Sequence, residues 1–262
     1  TGQESSKITW FPCSKGGHYR KWYGNHYYVL NWRDEGHDIK NFFDEEGELR
    51  SRPQNIDFFF RTGITWSTIT SSDISARLFP KNFAFESAGS VCFPHQIADL
   101  ALIQCALNSS AVSVFLEALS PTLSFSEGTI ATLPVANVAN VSEIFRRLLQ
   151  ISQKDWDSFE RSWDFEASPL TTLARGGGKI SNAYREFISQ NEQMTFDMRA
   201  LEESNNRLFL EAYQLLGKVS EEVPDVKLSL TLNPAFRFGD RLSEEERQRR
   251  FRRESAEELV SY

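Results

Sequence analysis

Residues 181–216 form an almost unbroken run of helix-favouring residues, which Gly217 ends. Glycine directly after the last helical residue is a common helix stop, because it adopts the left-handed backbone conformation without strain. At 1.5 Å per residue, a helix of about 36 residues would be roughly 54 Å long. A helix of that length exceeds the width of a small domain, so we expect it either to kink or to project as an arm.

Short runs of aromatic and β-branched residues, separated by turn residues, occupy much of the chain before position 95. Such runs are typical of short β-strands. The predicted strands are 27–32, 56–61, 64–70, 82–86 and 90–94. Strands at this spacing favour an antiparallel or mixed sheet, and not a parallel sheet with helical crossovers.

Helical periodicity dominates the remainder of the chain, apart from one strand-like segment at 128–135. Helices are predicted at 96–107, 111–119 and 155–165, together with one that Ser142 caps and a last one that begins with the capping box of Ser243 and Glu246. The sequence therefore predicts an α+β fold. A small mixed or antiparallel sheet with helices occupies residues 1–138, and a mostly helical region follows over 139–262.

The composition excludes several classes of protein. With 262 residues and 40% apolar content, the chain is long enough to bury a substantial core. No apolar run is long enough to cross a membrane, and the first residues lack the pattern of a signal peptide. Cys13, Cys92 and Cys105 are scattered, which favours a reducing cytoplasm and argues against disulfides and zinc. The chain does not begin with Met, so we expect a fragment.

The charge is segmented along the first third of the chain, although the net charge of −7 is acidic. Residues 1–33 sum to +4, residues 34–48 to −6, and residues 49–62 to +2. This distribution excludes a globally basic protein that coats DNA, but it leaves room for a local basic face.

Motifs for catalysis, cofactor binding or metal binding are missing. GGGKIS (176–181) lacks the spacing of a phosphate-binding loop, and LNPAF (232–236) lacks the second proline of the loop with which amino-methyltransferases hold adenine. The four histidines have no metal-ligand or catalytic spacing, and the acids of 34–48 have none that would support a nuclease. We therefore predict no catalytic, cofactor-binding or metal-binding residue in the chain.

Four loop-like segments of the first 90 residues combine polar and basic side chains: HYRKWYGN (18–25), SRPQN (51–55), TWSTITSSD (65–73) and ARLFPKN (76–82). Arg and Lys bind phosphates and guanine, and Asn and Gln bind adenine, so these residue types suit DNA recognition. An aromatic edge of the core is the competing interpretation of the first segment.

Ordered segments along the chain resemble a known family. ITWFPCSKGG leads into YRKWYGN, and LNW, LRSRPQN, GITWS, LFPKNFAFESAGSVCFP, SPTLSFSEGTIATLP, DWDSFERSWDF and NPAFRFG follow. In this order they are similar to the PglX family of adenine-specific DNA methyltransferases from BREX phage-defence systems. The arrangement of strands and helices also resembles the recognition domains of fused restriction-methyltransferases. The resemblance weakens around ARGGGK (174–179).

The resemblance implies a division of labour. In this family an upstream domain carries the S-adenosylmethionine-binding and catalytic motifs, and a downstream region recognises the target sequence. The chain lacks the upstream motifs, so it is similar to the target-recognition domain with part of the C-terminal helical region. The expected partners are double-stranded DNA, the catalytic domain of the same parent and other BREX proteins. The fragment is expected to bind no cofactor and to be inactive alone.

The resemblance and the residue types together give a candidate DNA-facing set: Arg20, Lys21, Tyr23, Asn25, Arg50, Arg52, Gln54, Ser71, Arg77 and Lys81. Residues 27–32 are expected to pack one face into the core, either Tyr28, Leu30 and Trp32 or the opposite face. Trp22 belongs either to the core or to a surface that stacks on bases. A protein-docking module within the BREX assembly is the alternative function.

Overall fold

A computed structural model describes residues 9–70, 73–120, 124–176 and 179–261. Its strands all lie before residue 93 and its longer helices all lie after it, so the predicted α+β class is confirmed. The strands are β1 (Trp10–Ser14), β2 (Tyr28–Asn31), β3 (Gly63–Ser67), β4 (Arg77–Phe79), β5 (Ala84–Phe85) and β6 (Gly89–Cys92). The α-helices are α1 (His37–Lys40), α2 (Leu100–Leu107), α3 (Ser110–Leu119), α4 (Glu127–Ala131), α5 (Val141–Trp156), α6 (Pro169–Arg175), α7 (Ile180–Ala212), α8 (Pro234–Phe238) and α9 (Glu244–Ser261).

The strands form two small sheets, with the orders β2-β1-β5 and β4-β3-β6. The first sheet is mixed, because β1 pairs with β2 antiparallel and with β5 parallel. The second sheet is antiparallel throughout. The sheets approach each other where Gly89 meets Gly16. A Cβ atom on Gly89 would lie 2.7 Å from the Gly16 backbone nitrogen, so this approach requires glycine.

Two segments that were predicted as strands fold differently. Residues 56–61 begin with a short 3-10 helix, Ile56–Phe58, which the left-handed backbone of Asn55 (φ 54°) introduces. Residues 128–135 contain α4, because the Ser126 hydroxyl accepts a hydrogen bond from the Thr129 backbone N–H and caps a helix there. Both strand predictions were wrong, since local capping and turn geometry outweighed aromatic and β-branched composition.

Three helix predictions also differ from the structure. The long helix α7 ends at Ala212 with Tyr213 as its C-cap, so Gly217 does not end it. The N-cap of α5 is Asn140 in the left-handed conformation, and not Ser142. The helix predicted over 155–165 does not form, because α5 ends at Trp156 and turns follow. The Ser162 hydroxyl hydrogen-bonds the Asp157 carboxylate at 2.6 Å and stabilises these turns. The predicted cap of the last helix is confirmed, since Ser243 Oγ accepts from the Glu246 N–H at 3.3 Å.

The long helix α7 is continuous over 33 residues and about 50 Å, but it does not project as an arm. Buried residues occur along it from Ala183 to Leu210. It packs against α3, α5 and α6. The helix α7 is therefore packed against the rest of the helical region along its length.

The main hydrophobic core is continuous between the sheet region and the helices. It includes Trp22, Trp66 of β3, Leu148 of α5, Met198 of α7 and Phe251 of α9. A smaller cluster around Cys13, Trp32, Phe59 and Ala84 supports the first sheet. The main core therefore crosses the predicted boundary at residue 138, and the division into two domains stays a prediction.

Among the described residues, no single helix has the length and apolar content needed to cross a membrane. The segments Ile97–Leu107 and Ser110–Leu119 have the required length and apolar content only when they are taken together, and this pair is bent by 74°.

Candidate nucleic-acid interface

The candidate DNA-facing residues fall into two groups in the structure. Arg20, Lys21, Tyr23, Asn25 and Arg77 are buried, each with at most 9% of its surface exposed. Arg50, Arg52, Gln54 and Lys81 are exposed. Ser71 lies outside the described residues.

Arg20 is engaged entirely inside the protein. Its guanidinium forms an ion pair with the fully buried Asp155, donates to Thr231 Oγ1 at 3.0 Å, and lies 5.0 Å from the centre of the Trp156 ring. Asp155 also accepts hydrogen bonds from the backbone N–H groups of Thr231 and Leu232 at 2.8 Å. The carboxylate thus joins the loop containing Arg20, the end of α5 and the turn before α8.

Lys21 forms a second buried ion pair. Its ammonium group lies 2.9 Å from Glu202 Oε2 and donates to the Asn108 carbonyl at 3.2 Å. The other carboxylate oxygen of Glu202 accepts from Trp22 Nε1 at 2.8 Å. Burial lowers the pKa of Lys21, but the charge and hydrogen bonds of Glu202 and Tyr19 outweigh it and raise the pKa overall. Lys21 therefore stays charged in the interior and holds the loop against α7.

The backbone around these cations follows a tight path. Trp22 is fully buried in a left-handed conformation (φ 70°), which is strained for a bulky residue. At Gly24 (φ 114°) a Cβ atom would lie 2.6 Å from Arg20 Nε and from the Trp156 ring. Asn25 (φ 63°) donates from its side chain to the His18 carbonyl at 2.9 Å. Gly24 and Asn25 both adopt positive φ, and Trp22 belongs to the core.

Arg77 is 1% exposed and has no carboxylate partner among the described residues. One of its terminal nitrogens donates to the Arg20 and Ser75 carbonyls at 3.1 Å. Burial, and then the charge of Arg20, lower the pKa of Arg77 to about 10. Burial, and then the charges of Arg77 and Arg20, lower the pKa of His26 to about 3. The buried candidates therefore make their contacts inside the protein. That they contact DNA stays a prediction.

The exposed candidates at 50, 52 and 54 line one cleft of about 1080 Å³. Aromatic residues also line it, with Trp32 and Phe59 almost fully buried and Phe85 and Phe93 partly exposed. Lys81 is not among its lining residues. The cleft thus combines exposed arginine and amide groups with aromatic side chains.

The loop that carries these residues is held at its start. The Arg50 backbone N–H donates to the Phe42 carbonyl at 2.8 Å, and its guanidinium lies 3.5 Å from the partly buried carboxylate of Asp44. Arg52 and Gln54 follow in irregular backbone and are exposed. No ion pair engages Arg52 among the described residues. Arg52 is therefore the cation of the cleft that is most available to a ligand.

Other residues that line the cleft were not among the candidates named from the sequence, including two carboxylates and one amide. Glu86, Glu127 and Asn55 line it together with Thr68 and Ser90. Glu127 Oε1 accepts a hydrogen bond of 2.6 Å from Ser90 Oγ, which itself lies 2.7 Å from Thr68 Oγ1. Glu86, Glu127 and Ser90 lie outside that loop, so only the tertiary fold brings them next to residues 50–55. The assembled cleft offers donors and acceptors side by side.

Asn233 of the LNPAF segment is occupied internally. Its carbonyl oxygen accepts from the Ala235 N–H and caps α8, while its amide nitrogen donates to the Asp225 and Leu228 carbonyls at 2.8 and 3.1 Å. The side chain is 3% exposed. It is therefore not arranged to hold an adenine base.

Comparison with known proteins identifies the relatives of this chain. No family model matches it. It is 38% identical over 228 residues to "Adenine-specific methyltransferase PglX" of Lacticaseibacillus casei (strain Zhang), which covers 85% of the chain and 19% of that protein. Over its length, the chain belongs to the PglX-like family.

The second relative supports the same assignment. "Adenine-specific methyltransferase BrxX" of Escherichia coli O9:H4 (strain HS) is 28% identical over 264 residues, which cover 100% of the chain and 21% of that protein. The chain thus spans about a fifth of the length of both PglX-like relatives. The family resemblance seen in the sequence is confirmed.

Proposed function

We propose that this chain is the DNA sequence-recognition segment of an S-adenosylmethionine-dependent N6-adenine DNA methyltransferase of a BREX phage-defence system. The names of the PglX-like relatives support methylation of adenine by the longer parent protein. The chain itself transfers no methyl group in this proposal, because catalysis belongs to another part of the parent. Methyl transfer from S-adenosylmethionine to DNA by the isolated chain would contradict that part of the proposal.

The observation that carries the proposal is the cleft with Arg50, Arg52 and Gln54 exposed on one loop. Arginine pairs with guanine or phosphate, and glutamine pairs with adenine, through hydrogen bonds that a loop can present to a groove. An enzyme that flips its target adenine out of the duplex needs a separate surface that reads the flanking bases. The cleft loop, defined as residues 49–56, supplies such a surface on a rigid support.

S-adenosylmethionine is assigned to the remainder of the parent. Asn233 precedes a proline in this chain. Its side-chain amide is engaged in hydrogen bonds within its own turn and helix cap. Asn233 is therefore not free to hold the target adenine, and we assign that step, together with the cofactor, to the rest of the parent.

The first experiment measures DNA binding against salt. The duplex carries the sequence found by mapping modified adenines in cells that express the full-length parent. We expect Arg52→Gln to weaken DNA binding. If Arg52 contacts a phosphate, the negative slope of the logarithm of the binding constant against the logarithm of the salt concentration should become less steep by about 1. Arg185→Gln, at an exposed arginine of α7 outside the cleft, is the matched control. Equal binding and slope for the wild type and both variants would refute the interface.

The second experiment transfers specificity. Replacing the cleft loop in the parent with that of a relative should change the methylated sequence and leave S-adenosylmethionine use intact. Exchanging residues 1–138 as a block is a harsher test, because it separates Arg20 from Asp155 and Lys21 from Glu202. An unchanged methylated sequence after both exchanges would refute the recognition role.

A second candidate function is docking to another protein of the BREX assembly. Phe42 and Phe43 are 59% and 52% exposed within the acidic segment 34–48. Exposed aromatic side chains are typical of protein-binding sites. Replacing both with serine should leave DNA binding and its salt dependence unchanged. Loss of co-purification with the other BREX proteins, without loss of DNA binding, would favour docking at this segment.

A further inference from the structure

We infer that Glu127 reads a base in the recognised sequence, by accepting a hydrogen bond from the exocyclic amino group of a cytosine or an adenine. The inference rests on the proposed function, and it concerns a residue that the sequence did not single out. Its basis is the position of Glu127 in the lining of the cleft, with a carboxylate that is exposed and held in place.

The charges in the cleft argue for contact with bases and against contact with phosphates alone. Two carboxylates, Glu86 and Glu127, line the same cleft as Arg50 and Arg52. Arg50 already lies beside Asp44. A phosphate brought to Glu127 would be repelled, whereas an ionised carboxylate accepts hydrogen bonds and donates none. In the major groove the amino groups of cytosine and adenine are the donors that such an acceptor can read.

Hydrogen bonds fix the carboxylate of Glu127. Ser90 is 3% exposed, and its hydroxyl donates to Glu127 Oε1 at 2.6 Å. The same Ser90 hydroxyl lies 2.7 Å from Thr68 Oγ1, and Thr68 also bonds the Ser87 carbonyl at 3.2 Å. The backbone of Glu127 begins α4, whose N-cap is Ser126. A side chain fixed in this way discriminates between bases because it does not have to be ordered on binding.

The free oxygen of Glu127 distinguishes it from its neighbour. Oε1 is used by Ser90, while Oε2 has no hydrogen-bond partner among the described residues. Glu86 is partly buried, and its contact is a longer one of 3.3 Å to the Ala88 backbone N–H within its own turn. Glu127 therefore combines a fixed position with an unused acceptor.

The test uses the full-length parent with Glu127→Gln. Glutamine keeps an acceptor for Ser90 but adds a donor in the cleft. We expect the preference at one position of the methylated sequence to fall about tenfold or more, with the other positions unchanged. The salt dependence of DNA binding should not change. Glu186→Gln, at an exposed glutamate of α7, is the control and should leave every position unchanged.

Base analogues separate cytosine from adenine and a direct contact from an indirect one. At the affected position, cytosine is replaced by 2-pyrimidinone, or adenine by unsubstituted purine, so that only the amino group is lost. The wild type should lose about tenfold in binding to the analogue, and Glu127→Gln should lose little further. Ser90→Ala keeps the carboxylate but frees it, and should cause a smaller loss at the same position.

The two proposals fail in different ways. If the cleft-loop exchange switches the methylated sequence while Glu127→Gln and Ser90→Ala keep full preference at every position, Glu127 does not read a base and the recognition role stands. If the loop exchange also leaves the sequence unchanged, the recognition role itself fails. Thermal melting of each variant establishes that it is folded before its preference is measured.

Discussion

Replacing Lys21 with methionine separates a buried structural role from a DNA-binding role. Lys21 and Glu202 have side chains that are 11% and 1% exposed, and they lie 2.9 Å apart. Methionine preserves much of the side-chain length but leaves the Glu202 carboxylate without its cation. Removing one partner of a buried ion pair costs about 3–5 kcal/mol, because the remaining charge stays desolvated. Glu202 keeps its hydrogen bond from Trp22, so we expect the lower end of that range.

Urea unfolding at pH 7, followed by tryptophan fluorescence, measures this loss. A destabilisation of about 3 kcal/mol corresponds to a melting temperature lowered by roughly 6–12 °C in a chain of this size. The double variant Lys21→Met/Glu202→Gln removes both charges and keeps an acceptor for the Trp22 indole. We expect it to be more stable than Lys21→Met alone, with a coupling free energy of about 1.5 kcal/mol or more between the two sites.

Lys81→Met is the matched control, because Lys81 is exposed and belongs to the same candidate DNA-facing set. It should leave the free energy of unfolding unchanged within about 0.5 kcal/mol. A free energy of unfolding of Lys21→Met within about 1 kcal/mol of the wild type, at the same m-value, would contradict a stabilising buried ion pair. A loss of DNA binding by that stable variant would instead place Lys21 on the DNA-facing surface.

Three further outcomes follow from the buried loop and the cysteines. Gly24→Ala should lower the free energy of unfolding by at least about 2 kcal/mol. The new Cβ would lie 2.6 Å from Arg20 and Trp156, and the φ of 114° is strained for any residue but glycine. Unchanged urea unfolding would contradict this prediction. The pKa of His26 is lowered to about 3 in the folded protein. As the pH falls from about 6.5 to 3, His26 is therefore protonated in the unfolded state but not in the folded state. Stability should decline over that window by up to about 5 kcal/mol, and His26→Gln should show less of this decline in urea titrations across pH. Cys105 is fully buried, and burial raises the pKa of its thiol to about 12. A thiol reagent at pH 8 should therefore label it only after unfolding. Rapid labelling of the native protein would place Cys105 at the surface.

Local signals in the sequence located those features whose causes are local. The cap of α9 at Ser243 was predicted from residue types that favour a helix start. The composition of residues 51–55 predicted an exposed polar loop, and Arg52 and Gln54 are exposed there. The segment 56–61 was predicted wrongly, because aromatic residues that pack around a short turn have the same composition as a strand.

The environment of Arg20 and Lys21 could not be read from the sequence. Arg20 meets Asp155 across 135 positions, and Lys21 meets Glu202 across 181. Nothing near residues 20 and 21 indicates that each has a buried carboxylate partner. The same holds for Glu127, whose position in the cleft depends on how α4 packs beside β6. Long-range pairing therefore decides which basic residues face solvent and which are interior.

The sequence separation of these buried pairs bears on how the chain folds during synthesis. At about 5–20 residues per second, the ribosome adds the partners of Arg20 and Lys21 roughly 7–36 s after the cations themselves. Phe251, a fully buried core residue close to the end of the chain, arrives later still. During that interval the loop 18–26 lacks the carboxylate partners of Arg20 and Lys21, and the Trp22 indole lacks its acceptor, Glu202. We expect nascent chains that stop before residue 202 to be sensitive to protease within this loop and to need chaperone protection, whereas chains extended past residue 251 should resist.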